Sequence, residues 1–379
     1  MAEQLWSDDL LERPRQQCDP LADEAVSGLF QNGQVPAANT LMKQLVANEQ
    51  VLPEQLPAGL RGYFEQSGRL PPWVDLGLLR KGEELFGRYG PQIVLSLLCS
   101  SLPSCYAAAK GVQVLHLTAR LETDPYRRIL ETSQMIIDVM APGGLESGGL
   151  GLRSAQKVRL MHAAVRHLIR RSGQWNAEWG QPINQEDMAG TLLTFSSLIL
   201  QSLKRMGCDF TPVESQAYYH AWRVVGFVMG LDERLMPTSA EEGERLMATI
   251  QIRHYRASAE GQAMTRALLE MMQHMLPGNA FDGMPATLTR YLVGDTTADL
   301  LGVPPSDWER ITVGPLRMLG WVVDKKVDMK PPVVAKLVSL VGRRMLDGLV
   351  WINRGPERLP FRIPSALRES WGVQGWERA

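Results

Sequence analysis

The sequence is short of cysteine and histidine, has almost no net charge, and contains no long uninterrupted apolar run. Each shortage removes a class of explanation. Cys18, Cys99, Cys105 and Cys208 are scattered through 379 residues with no Cys-x-x-Cys pair and no Cys/His zinc spacing. Neither a disulfide scaffold nor a structural zinc module is encoded, and a reduced, cytoplasmic compartment fits such thiols. Basic and acidic residues number 40 and 41, which offers no bulk attraction to nucleic acid or to an anionic membrane. The opening residues show no basic segment followed by an apolar one, so no secretory signal is expected. The most apolar windows, Ile93 to Ala109 and Ala189 to Leu203, are broken by Ser, Thr, Cys or Pro. Neither reaches the roughly 18 unbroken apolar residues of a membrane span, and both read as buried helices.

Alternating strand patterns, internal repeats and low-complexity linkers are also missing, while 45% of the residues are hydrophobic. The expectation is an all-α protein with a single large domain over residues 1–379. Asp124-Pro125 starts a helix that Ala141-Pro-Gly-Gly144 stops. The stretch from Pro142 to Gly151 reads as a flexible loop, and Ser154 as the cap of a second long helix ending at Ser172-Gly173. Asn184 with Asp187 caps a third helix, expected to run unbroken to about Met206 with small or polar Gly190, Thr194, Ser197 and Gln201 on one face. Thr211-Pro-Val-Glu214 is a capping box for a helix ending near Gly230, and Ser239 with Glu242 and Ser306 with Glu309 repeat the start signal. Pro332 to Asn353 reads as a further long helix before a tail containing Phe361, Pro364 and Trp371.

Only six histidines are present, and no His-Glu-x-x-His zinc motif occurs. Arg159, His162 and Arg166 are spaced i, i+3 and i+7, so they share one helical face. Arginine is rarely buried without an anion, so this face implies carboxylates or phosphates nearby. Ala163 and Ala164 beside the histidine would keep the surface low enough for a flat ligand. Haem meets these demands together, with an imidazole for iron, small side chains under the macrocycle and guanidinium groups for the propionates. A core histidine bonded to a carbonyl, with arginines reaching to the surface, meets them too. His167, about 140° around the helix from His162 at 100° per residue, reads as a surface or outer-shell residue.

Arg128, Glu131 and Thr132 share a face of the preceding helix at i, i+3 and i+4. They are either a solvated Arg/Glu pair or a polar patch over a cofactor, in which Glu131 takes a proton and Arg128 holds a substrate oxygen. Thr194 could line the same pocket, although a plain packing groove would explain it as well.

The ordered series Leu70-Pro-Pro-Trp73, Ser101-Leu-Pro103 leading to Tyr106-Ala-Ala, Leu117-Thr-Ala-Arg-Leu121, Arg128-x-x-Glu-Thr132, Arg159-x-x-His162-x-x-x-Arg166-His167 and Phe361-Arg-Ile-Pro364 resembles the latex clearing protein family. These are the rubber oxygenases, related to the fungal oxygenase MpaB. The resemblance spans about residues 60 to 370, which leaves 1–59 as an N-terminal helical extension. It implies a globin-like helical core around one haem b and the use of dioxygen to cleave carbon–carbon double bonds of isoprenoid or prenyl substrates. It also implies His162 as the proximal iron ligand and Arg128 and Thr132 on the distal side, where Thr194 could join them, with Arg159 and Arg166 near the propionates or behind the histidine. Where some rubber oxygenases carry a lysine able to cap the iron, this chain has Glu131, which cannot be a neutral amine ligand but could serve as a general base or a weak anionic ligand. The substrate implied is a small, apolar, unsaturated molecule. A haem peroxidase or sensor and a cofactor-free lipid-binding protein are the other classes that the residues allow.

Overall fold

The structure is a computed structural model that describes residues 6–118, 125–275 and 283–305, the side chains of residues 125–128, 130 and 131 excepted. The features expected at Ser306, Pro332 to Asn353, Phe361, Pro364 and Trp371 lie outside the described residues. The chain runs as α1 (Asp8–Arg15), α2 (Pro20–Gln31), α3 (Val35–Gln44), α4 (Ala58–Ser67) and α5 (Leu76–Arg88). Next come α6 (Gly90–Ser96) and α7 (Leu102–Ala107), joined by a π turn at Leu97–Ser101, and α8 (Val112–Leu117). The long helices α9 (Pro125–Met140) and α10 (Gly151–Ser172) are followed by α11 (Gln185–Phe195), α12 (Ser197–Arg205) and α13 (Pro212–Val228). The described chain closes with α14 (Ala240–His254), α15 (Ala259–Met275), α16 (Met284–Val293) and α17 (Asp295–Leu300). No strand occurs among the described residues, apart from a lone antiparallel bridge between Ala108 and Tyr255. The all-α expectation is met.

Two apolar clusters organise these helices. The larger joins α5, α6, α7, α9 and α11 to α16 with Leu152, Ala155 and Val158 of α10, and Trp222 and Tyr218 are fully buried in it. The smaller packs α2, α3 and α4 against Leu160, Ala163 and Ala164 of α10. Helix α10 is therefore shared, with one side in each cluster. Helix α5 packs tightly along α13: a Cβ added at Gly82 would stand 2.6 Å from the Ala217 carbonyl oxygen.

Several boundaries differ from the sequence reading, each for a local reason. Helix α10 begins at Gly151, three residues before Ser154, because the Ser154 hydroxyl donates to the buried Asp138 carboxylate of α9 instead of capping its own helix. A charged acceptor outcompetes a backbone N–H at that position. The glycine loop is pinned, not flexible: Asn48 donates to the carbonyls of Gly144 and Glu146, and its own N–H bonds the Gly149 carbonyl. A Cβ at Gly144, Gly149 or Gly151 would lie 2.3–2.6 Å from backbone oxygen of residues 138–144. The third helix breaks at Ser196, where the backbone turns to φ −111° and ψ −84°. The carbonyls of the two residues just before the break are taken by side chains, Thr194 by the Ser101 hydroxyl and Phe195 by the Tyr218 hydroxyl at 3.1 Å. No helix among the described residues is long and apolar enough to cross a membrane.

Candidate functional site

Helix α10 presents three strips, which the 100° helical step separates. Val158, Met161, His162 and Val165 occupy one strip, and all four line a partly open cavity of about 260 Å³. Leu160, Ala163, Ala164 and His167 occupy the opposite one and pack towards α2 to α4, with the His167 ring stacked on Phe30 at 4.4 Å. Ala163 and Ala164 thus let α2 approach closely and do not form a floor for a flat ligand. Arg159, Arg166 and Arg170 fall on the border between the two strips.

The arginines find their anions within the chain. Arg159 makes a two-pronged pair with Asp19, Nε to Oδ2 at 2.5 Å and Nη2 to Oδ1 at 2.8 Å, and donates Nη1 to the Val228 carbonyl. Arg166, 2% exposed, pairs through Nε with Asp23 at 2.7 Å and donates Nη1 to the Ile183 carbonyl. Neither arginine is among the cavity-lining residues. The carboxylates expected beside them are real, but they come from the N-terminal segment; Arg159 is committed through all three nitrogens, whereas Nη2 of Arg166 is buried without a hydrogen-bond partner.

The cavity brings His162 together with Thr132 of α9 and Thr194 of α11. Most of its wall is apolar, with Leu102, Met135, Met161, Val165, Trp222, Val225, Met229 and Ile250 among the lining residues. Thr194 donates its hydroxyl hydrogen to the Thr191 carbonyl at 2.8 Å and lies 3.5 Å from the Cys105 sulfur. Its oxygen lone pairs are what remain for a ligand. Thr132 also lines a smaller apolar pocket with Val94, Leu97, Ile129 and Ile136, so it sits between the two spaces. The π turn ends two residues before Pro103, which has no N–H to give to the regular ladder; Leu102 N–H bonds Leu97 O across the widened turn. Ser104 and Cys105 follow directly and line the cavity.

A charged network reaches the cavity wall at a place where sequence reasoning had put nothing. His254 and Asp187 line the cavity. His254 Nε2 contacts the fully buried Glu186 at 2.8 Å, Arg253 bonds Glu186 at 2.8 Å, and Arg15 of α1 reaches Glu186 at 3.2 Å and Asp187 at 3.0 Å. Burial opposes the charge on Glu186, but the bonds from His254 and Arg253 outweigh it and hold the carboxyl below its ordinary range. Burial, reinforced by Arg171 and Arg170, keeps His167 below the ordinary imidazole value. One lining residue is strained: Ile183 has φ +52°, the one positive φ of a non-glycine among the described residues. The only sequence signal for this network was the Asn184 cap beside Glu186 and Asp187.

Arg128 and Glu131 belong to α9, and their side chains lie outside what the structure describes.

Comparison with known proteins adds three findings. Residues 94–324, more than half of the chain, match the family described as ER-bound oxygenase mpaB/B'/rubber oxygenase, catalytic domain. A rubber oxygenase of Streptomyces sp. (strain K30) is 27% identical over 357 residues, which cover 93% of this chain and 86% of that protein. A latex clearing protein solved in its closed state has the same fold, with a TM-score of 0.76 at 23% identity over 93% of this chain and 95% of that one.

Proposed function

The chain belongs to the mpaB and rubber oxygenase catalytic-domain family, and from that premise we propose that it is a haem b-dependent oxygenase that cleaves a carbon–carbon double bond of an apolar, isoprenoid-like substrate. The observation that carries the reading is the placement of His162, Thr132 and Thr194 on the wall of one mostly apolar cavity. A b-type haem needs an imidazole on an apolar wall and a broad space between helices. The residues present fit it: His162 would hold the iron, and Val158, Met161 and Val165 on the same strip would contact the macrocycle. When bound, the haem supplies a redox iron at which dioxygen can be activated.

The rest falls to the chain. One dioxygen and one alkene become two carbonyl groups, so atoms balance with no external electron and no net proton. The apolar lining admits the alkene and excludes water, which favours addition to carbon over leakage to solvent. Thr194 offers acceptor lone pairs at this wall and Thr132 a hydroxyl between the two pockets, and both orient what enters. To Arg128 we assign polarisation of the oxygen that adds to the alkene, and to Glu131 the role of taking and returning an allylic proton. Incubation of the purified protein with prenylated alkenes under ¹⁸O₂ tests this. Labelled aldehyde or ketone products are expected from the wild type and none from His162→Ala, with a loss of roughly 10²-fold or more in Glu131→Gln. A red protein that consumes no oxygen with any alkene would favour a sensor, and a colourless one that carries lipid would favour a lipid-binding protein.

A further inference from the structure

We propose that Asp19 and Asp23, from the N-terminal segment and outside the family-matched region 94–324, are positioning residues for His162. The inference rests on His162 being the haem-binding imidazole. Relative to His162, helical geometry puts Arg159 and Arg166 at about +60° and +40° and one turn away on either side. They therefore bracket the histidine along the axis and lie on the edge of its strip.

Each arginine joins three parts of the molecule. Arg159 ties α10 to Asp19 and to the carbonyl of Val228, the residue before the lining residue Met229. Arg166 ties α10 to Asp23 and to the carbonyl of Ile183, itself a lining residue held at φ +52°. Arg170 adds a longer contact to Asp23 at 3.4 Å, and His167 stacks on Phe30 further along α2. Slippage of α10 along its axis would break both pairs at once, and rotation would drive a guanidinium into the cavity or into the α2 packing. The same contacts that fix the helix fix the place and direction from which the His162 side chain leaves it. The aspartates reach the cofactor only through the arginines, as outer-shell groups orient a metal ligand.

A merely structural pair would change stability alone, so the test reads ligation. Full-length Asp19→Asn, Asp23→Asn and Asp19→Glu are compared with the wild type, with His162→Ala, and with Glu83→Gln, which removes a buried carboxylate that does not line the cavity. The readouts are the visible spectrum, the rate of haem transfer to excess apomyoglobin, and the melting temperature. Each Asn variant is expected to release haem about tenfold faster or more and to show an altered ferric ligand spectrum. Asp19→Glu should recover part of the loss, and Glu83→Gln should keep the wild-type rate even where it lowers the melting temperature. Asp23 is the more exposed of the two, at 21%, so Asp23→Asn carries the test if Asp19→Asn does not fold. Wild-type release and spectra in the Asn variants would overturn the proposal while leaving the haem reading intact, as would haem loss that simply tracks melting temperature as in Glu83→Gln. A wild type that binds no haem would overturn both.

Discussion

Replacing Arg15 by Met removes the cation that joins α1 to the wall of the cavity while keeping most of the apolar stem. Arg15 is 1% exposed and makes three charge-assisted bonds: to Glu186 at 3.2 Å, to Asp187 at 3.0 Å and to the Trp179 carbonyl at 2.8 Å. Breaking a buried ion pair from one side costs about 3–5 kcal/mol, because the partner is left as an uncompensated charge. Glu186 keeps Arg253 and His254, both at 2.8 Å, and Asp187 keeps the Asn184 amide, so the lower end applies and about 3 kcal/mol is expected. The comparison variant is Arg80→Met, which breaks the Arg80–Glu146 pair on the surface, where Arg80 is 60% exposed. Solvent screens that pair, so its loss should cost far less. Urea denaturation followed by fluorescence and circular dichroism reads both variants against the wild type. A loss for Arg15→Met no larger than that for Arg80→Met would refute the claim that this buried network holds α1 against the cavity wall.

Three further outcomes are expected. Gly230→Ala should cost about 2 kcal/mol in the same urea assay: the glycine has φ +80°, and an added Cβ would stand 2.5 Å from the Arg159 guanidinium carbon. Tyr218→Phe should cost about 1–2 kcal/mol by leaving the Phe195 carbonyl at the α11–α12 break without its donor. Glu214 is held at about 2, against an ordinary 4.5, by the Thr211 N–H, Arg88 and the Thr211 hydroxyl. Its folded value is lowered, so its contribution is present above pH 4.5 and fades as pH falls towards 2. Thermal melts of Glu214→Gln should lie below the wild type at pH 7, with the gap closing across that window.

Helix capping and glycine stops were legible because they are local. Thr211 with Glu214, Ser239 with Glu242, Pro125 and Gly173 mark their helix ends as the sequence implied. Ser154 was misread because its hydroxyl has a choice of partner, and the better one, Asp138, becomes available only when α9 and α10 pack together. The break at Ser196 had no sequence signal stronger than a run of small and polar residues. It exists because Ser101 and Tyr218, far off in sequence, supply donors for the freed carbonyls. The face of Arg159, His162 and Arg166 was legible, as was its need for anions, but their source was not. Asp19 and Asp23 lie some 140 residues earlier, and nothing in one-dimensional spacing distinguishes them from surface carboxylates. The same holds for Arg15, Glu186 and His254, which only tertiary packing brings to one place.

The most direct test of the central claim is the visible spectrum of the purified protein, oxidised and dithionite-reduced, with pyridine haemochrome quantitation and His162→Ala prepared in parallel. An intense Soret band with about one haem b per chain, lost or strongly shifted in the variant, is the predicted result. A folded wild-type protein with no Soret band after expression with added haem, or a band unaltered by His162→Ala, would contradict it.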